Sequence, residues 1–132
     1  MNNKYRETNT TISAINYHLV FCPHYRRKIF SIAGVEARFK ELVTQICEQK
    51  KYDIISLECN IDHCHLFVNV SPSTSAHDVI KDIKVATSSV LRKEFKELSQ
   101  MRVLWTRNFL ASTAETMSPE IIKKYVEAQR KR

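Results

Sequence analysis

Apolar positions along this chain switch between a period of two and a period of three to four, and the switches mark out its elements. From Thr11 to Cys22 the side chains alternate, with Ile15, Tyr17, Leu19 and Phe21 on one side and Asn16 and His18 on the other, which predicts a strand ended by Pro23. From about Ser31 to Gln49, Val35, Phe39, Leu42, Val43, Ile46 and Cys47 recur at helical spacing, predicting an amphipathic helix packed on a sheet, with Gly34 near its start. Alternation returns from Tyr52 to Ile61, with Ile55, Leu57, Cys59 and Ile61 on one face. The short link Asn60-Ile61-Asp62 suits a hairpin into a further strand. There Cys64, Leu66, Val68 and Val70 form an apolar face, and His63, His65, Phe67 and Asn69 share the other.

Ser71 to Ser75 is rich in turn formers, and Ser75 with Asp78 reads as a capping box for a helix from about Ala76 to Leu98. Its apolar stripe is Val79, Ile80, Ile83, Val90, Leu91, Phe95 and Leu98, and its other side carries Lys81, Lys84, Arg92, Lys93 and Lys96. A short edge strand is expected around Phe109, after Trp105 and Arg107. Ser118 as N-cap with Pro119 at the first helical position opens a last helix, about 118–130, that leads into the basic tail Arg130-Lys131-Arg132. The polar N-terminus ahead of Thr11 is expected to fray. The order strand, helix, strand, strand, helix, strand, helix predicts a single α+β domain over residues 1–132. It is a ferredoxin-like antiparallel sheet with two helices on one face, the terminal helix being left over.

Charge narrows the partner. With 21 Lys and Arg against 14 Asp and Glu, a net charge of +7 and a pI near 9.4 favour a polyanionic partner such as nucleic acid or an anionic membrane. No apolar stretch reaches the length of a membrane span, and the start lacks the apolar core of a signal peptide, so a cytoplasmic location is expected. Cys22, Cys47, Cys59 and Cys64 contain no C-x-x-C pair and read as small buried residues.

His63-Cys64-His65 on a strand sets two imidazoles on one face, a geometry that suits a metal ion, although such a pair is also found as an ordinary surface feature. Tyr125 and Gln129 lie four residues apart and share one face of the last helix. If that face closes over the open side of the sheet, a phenol and an amide oxygen meet the paired histidines, and the set is complete for cutting nucleic acid. Taken singly, Tyr125 reads as an amphipathic helix residue and Gln129 as a solvated side chain. The loop His24-Tyr25-Arg26-Arg27-Lys28 is either a phosphate clamp or a solvated turn, and the cationic helix face is either solvated or in contact with nucleic acid. Asp62 either orients a histidine or simply ends the turn.

These stretches together resemble the single-tyrosine HUH transposases of small bacterial and archaeal insertion sequences, the TnpA type. The carriers are Tyr17 to Lys28, Asp62 to Val68, Lys84 to Phe95, Leu104-Trp105 and Ile122 to Gln129, in that order over most of the chain. The resemblance implies that His63 and His65 are paired metal ligands, Gln129 the third ligand and Tyr125 the nucleophile. It also implies a homodimer acting on single-stranded DNA with hairpins near the element's ends, magnesium or manganese as cofactor, and a covalent 5′-phosphotyrosine. In many members the tyrosine helix completes the partner's site, which would account for the leftover helix. DNA-contact candidates are Tyr25, Arg26, Arg27, Lys28, Lys84, Arg92 and Arg107. Three positions depart from the family pattern: Cys64 replaces a larger aliphatic residue, while Val85 and Ala114 stand where glycines are common. The rival functions are a related nicking and rejoining enzyme, for replication initiation or as a domesticated host factor, and a non-catalytic binding module using Phe67 and neighbours as stacking platforms.

Overall fold

The structure is a computed structural model that describes residues 5–113 and 116–129; the start at 1–4, Ala114 and the basic tail lie outside the described residues. Residues just after the start form a small hairpin, β1 (Arg6–Glu7) with β2 (Ile12–Ser13), ahead of the expected strand. Arg6 anchors it by donating to Asn69 Oδ1 at 2.6 Å, to the Asn69 carbonyl at 2.9 Å and to the Lys51 carbonyl at 2.8 Å. One guanidinium thus satisfies several carbonyl-type acceptors at once.

The predicted elements follow as β3 (Ile15–Phe21), α1 (Val35–Lys50), β4 (Asp53–Cys59), β5 (Cys64–Val70), α2 (Ala76–Glu94), β6 (Leu110–Ser112) and α3 (Pro119–Ala128). Four strands form one antiparallel sheet in the order β4-β5-β3-β6. That is the ferredoxin-like arrangement: each helical crossover links two strands that sit on either side of a third.

α1 begins later than the apolar spacing suggested, because residues 29–31 make a separate 3₁₀ turn and Gly34, at φ +87°, redirects the chain into the helix. α2 opens on the expected capping box: Ser75 Oγ accepts from the Asp78 N–H and Asp78 Oδ2 accepts from the Ser75 N–H, both at 3.0 Å. It stops at Glu94 because Phe95 is extended, and residues 96–98 form another 3₁₀ turn. In β4 the register shifts between Ile54 and Ser56, so Ile54 joins the core with Leu57 and Cys59 where Ile55 was expected. Ile61, expected on that apolar face, lies in the turn beyond β4 and is exposed.

The main core lies between the sheet and α1 and α2, with Leu19, Phe21, Leu66 and Val68 packed against Val35, Phe39, Val79, Ile83 and Leu91. Trp105 is buried there edge-on to Phe21 at 5.2 Å, its indole N–H donating to Thr87 Oγ1 at 3.0 Å. α3 covers the opposite face, where Val126 packs on Val20 and Cys22 with Leu110, Ile122 and Tyr125 around them. Among the described residues no helix is long and apolar enough to cross a membrane.

Candidate active site

Alternation in β5 commits Cys64 and Leu66 to the core, so His65 must face α3. His63 precedes the strand in a turn closed by the Asn60 N–H donating to the His63 carbonyl at 2.8 Å, and its ring centroid lies 4.9 Å from that of His65. Asp62 Oδ1 accepts from His63 Nδ1 at 2.9 Å, and Asp62 Oδ2 accepts from Arg26 Nε at 2.9 Å and Nη2 at 2.8 Å. Arg26 reaches it because Tyr25 and Arg26 both adopt left-handed backbone, φ +58° and +54°. Burial raises the Asp62 carboxyl, but the bonds from His63 and Arg26 outweigh it and hold the group below its ordinary value. Asp62 thus bridges Arg26 and His63 from the turn.

With its proton on Nδ1, His63 presents a lone pair at Nε2, which accepts from the Asn60 side-chain amide at 2.8 Å. His65 is pushed below the ordinary histidine range by burial first and then by His63 and His18. Neutral imidazoles are the form that binds a metal. His18, on the neighbouring strand, lies 6.2 Å from His65, and its Nδ1 is buried without a partner among the described residues.

A cavity of about 390 Å³ opens over the pair, bounded by Arg26, Asp62, His63 and His65 on one side and by Ile122, Lys123 and Glu127 of α3 on the other. Tyr125 and Gln129 do not line it. They face a separate cavity of about 390 Å³ with Asn108, Phe109 and Leu110. At about 100° per residue, positions 122, 123 and 127 project roughly opposite to 121, 124, 125 and 128, so α3 stands between the two cavities. Tyr125 donates to Asn108 Oδ1 at 3.0 Å, and Gln129 Nε2 donates to the Tyr125 carbonyl at 2.9 Å while its Oε1 is buried without a partner among the described residues. One chain therefore unites His63, His65, Asp62 and Arg26, and separately unites Tyr125 with Gln129.

The donor chemistry fits a divalent ion. His63 Nε2 has a lone pair met by one displaceable amide, His65 is biased to its neutral form, and Gln129 Oε1 is an acceptor with no donor. No cluster of three or more His, Cys, Asp or Glu at metal-holding spacing occurs among the described residues, so a third donor has to be an amide or come from elsewhere.

Comparison with known proteins decides the family. The model of the family described as "Transposase IS200 like" matches residues 11–129. The chain belongs to the IS200-like transposase family. It is 27% identical over 118 residues to the ISDra2 transposase TnpA of Deinococcus radiodurans, covering 87% of this chain and 84% of that one. It is 29% identical over 117 residues to the transposase of insertion sequence IS200 from Salmonella typhimurium, covering 86% and 75%. As a member of this family the chain is a transposase. Its fold matches that of a crystal structure described as a candidate transposase from Deinococcus radiodurans, with a TM-score of 0.85 at 23% identity over 94% of this chain and 97% of that one. It also matches that of a REP-associated tyrosine transposase bound to a REP hairpin, with a TM-score of 0.60 at 10% identity over 94% and 68%.

Among this transposase's DNA-contact candidates, Tyr25 is exposed, its ring tilted against that of His24 with centroids 4.2 Å apart, and with Arg27 and Arg102 it lines a cavity of about 460 Å³. Lys28 and Arg107 are exposed. Arg26 is engaged with Asp62. Lys84 and Arg92 do not belong to a solvated face: Lys84 Nζ donates to the carbonyls of Thr106 at 2.6 Å and Asn108 at 3.1 Å, and Arg92 donates to those of Ser88, Met101 and Arg102. Phe67 is only 8% exposed and packs on His18 at 5.6 Å, so its ring is not open as a stacking platform. Sequence reasoning had no role for His18, Asn60 or Asn108. For His18 the signal was available, since alternation in β3 sets it on the face shared with His65.

Proposed function

We propose that this transposase cuts and rejoins single-stranded DNA at the ends of an insertion sequence through a covalent 5′-phosphotyrosine. Tyr125 is the nucleophile, and His63, His65 and Gln129 hold magnesium or manganese. The observation that carries this is the chain from Arg26 through Asp62 to His63 beside His65, a histidine fixed in tautomer and direction as metal ligands commonly are. The bound ion supplies positive charge to the scissile phosphate. Lys123, at the cavity mouth, supplies a further cation to the DNA backbone.

In the reaction, Tyr125 Oη bonds to phosphorus and the bond from phosphorus to the 3′ oxygen breaks. The phenol proton leaves to solvent and the 3′ oxygen takes one up. The phosphoester energy stays in the tyrosine link, so a later 3′ hydroxyl can reverse the step on another strand. Because Tyr125 and Gln129 face away from their own chain's histidines, we read the complete site as formed between two copies, each α3 serving its partner. The charge of +7 and the fold shared with a hairpin-bound transposase support a hairpin-bearing single strand as substrate.

The test is to incubate the protein and manganese with hairpin-bearing single strands from its element's ends, then look for a protein-linked 5′ fragment on a denaturing gel. Wild type should form it and Tyr125→Phe should not. Absence of the adduct in wild type would refute the reaction, and its persistence in Tyr125→Phe would refute the nucleophile.

A further inference from the structure

Tyr125 is seated on the turn at residues 106–108, and that turn is held by a half-buried cation. Lys84 projects from α2 into the protein, where its Nζ donates to the carbonyls of Thr106 at 2.6 Å and Asn108 at 3.1 Å. Neither partner is a carboxylate, and its pKa is lowered by burial. Even half-burying an ammonium without a counter-ion works against folding. The cation therefore calls for a reason beyond stability, and the turn it grips supplies one. Thr106 Oγ1 donates to Asn108 Oδ1 at 3.2 Å, the Thr106 N–H donates to the Cys22 carbonyl at 3.0 Å, and Tyr125 donates to Asn108 Oδ1 at 3.0 Å. Tyr125 also packs against Cys22. Cys22, just beyond β3, and the helices α2 and α3 thus converge on one turn beneath one phenol.

We propose that Lys84 and Asn108 are positioning residues for Tyr125. Lys84 locks the turn, and Asn108 Oδ1 accepts the phenol's hydrogen bond, which directs the oxygen lone pairs toward the cavity beside Gln129 until the proton leaves to solvent on attack. This rests on the assignment of Tyr125 as nucleophile and names the residues that hold it in attacking orientation. A misdirected nucleophile loses rate even when substrate still binds.

The test uses full-length protein with Lys84→Met and Asn108→Ala. With the hairpin-bearing strand, both variants should form the adduct roughly ten- to a hundred-fold more slowly at saturating DNA. The half-saturating DNA concentration should change by less than about two-fold, as expected for an interaction that matters after binding. Equal rates, faster rates, or a loss confined to DNA affinity would overturn the proposal. A second measurement does not depend on cleavage: 3-fluorotyrosine placed at position 125 should give one sharp ¹⁹F resonance in the otherwise unaltered protein, broadened or split in both variants. An unchanged resonance overturns the proposal. If the unaltered protein makes no adduct while the variants still disturb the resonance, the reaction fails and the seat stands.

Discussion

Lys84 makes a quantitative prediction about stability. Its pKa falls from 10.5 to about 8 because burial penalises the ammonium. Between those two values the folded protein has released the proton while the unfolded chain still holds it, so the unfolded state binds more protons. Stability then rises with pH through this window, the penalty being fully present below about 8 and gone above 10.5. The gap corresponds to about 3 kcal/mol, and the part of the side chain still reaching solvent reduces it to roughly 1–3 kcal/mol. Lys84→Met removes this dependence. Urea unfolding followed by Trp105 fluorescence, under reducing conditions at about pH 7 and about pH 10.5, gives the needed four free energies. Titrating groups remote from Lys84 contribute equally to both proteins and cancel in the double difference, and Cys22, whose thiol interacts with Lys84, is replaced by Ala in both proteins so that it drops out. Wild type should gain about 1–3 kcal/mol relative to Lys84→Met on going to high pH. A double difference within about 0.5 kcal/mol of zero, or of opposite sign, would show that the lysine is not charged and buried as the geometry requires.

Further expectations follow from other contacts. Asp62→Ala should weaken manganese binding about 10- to 100-fold by calorimetry, because His63 loses the acceptor that fixes its tautomer; unchanged affinity would remove Asp62 from the site. Gly34→Ala should cost about 1–2 kcal/mol in urea unfolding, since the residue sits at φ +87°, which an L side chain resists. Ser75→Ala should cost about 0.5–2 kcal/mol through loss of the α2 cap, whereas an apolar change at exposed Val85 should leave unfolding within about 0.5 kcal/mol.

Much of the architecture was legible in the residues because local periodicity and face commitment are the same physical fact. Once Cys64, Leu66 and Val68 must enter the core, His65 has no choice of face. The capping box at Ser75 and Asp78 was readable for the same reason, being satisfied within one turn. Misjudged features depended on partners distant in sequence. The bulge that exchanges Ile55 for Ile54 arises from pairing with β5, the hairpin at Arg6–Glu7 depends on Asn69, and Lys84 looked solvated until residues 106–108 folded over it.

The sequence by itself determined the histidine pair, the shared helical face of Tyr125 and Gln129, and the order of elements, since each follows from side-chain spacing within a strand or a helix. Only the tertiary structure decided what those groups meet. It placed Arg26 behind Asp62, Lys84 beneath the tyrosine's turn, and α3 with its tyrosine turned from its own histidines. Spacing fixes which residues share a face, but the neighbour that face receives is selected by packing between segments, where burial and hydrogen bonding are balanced over the whole molecule.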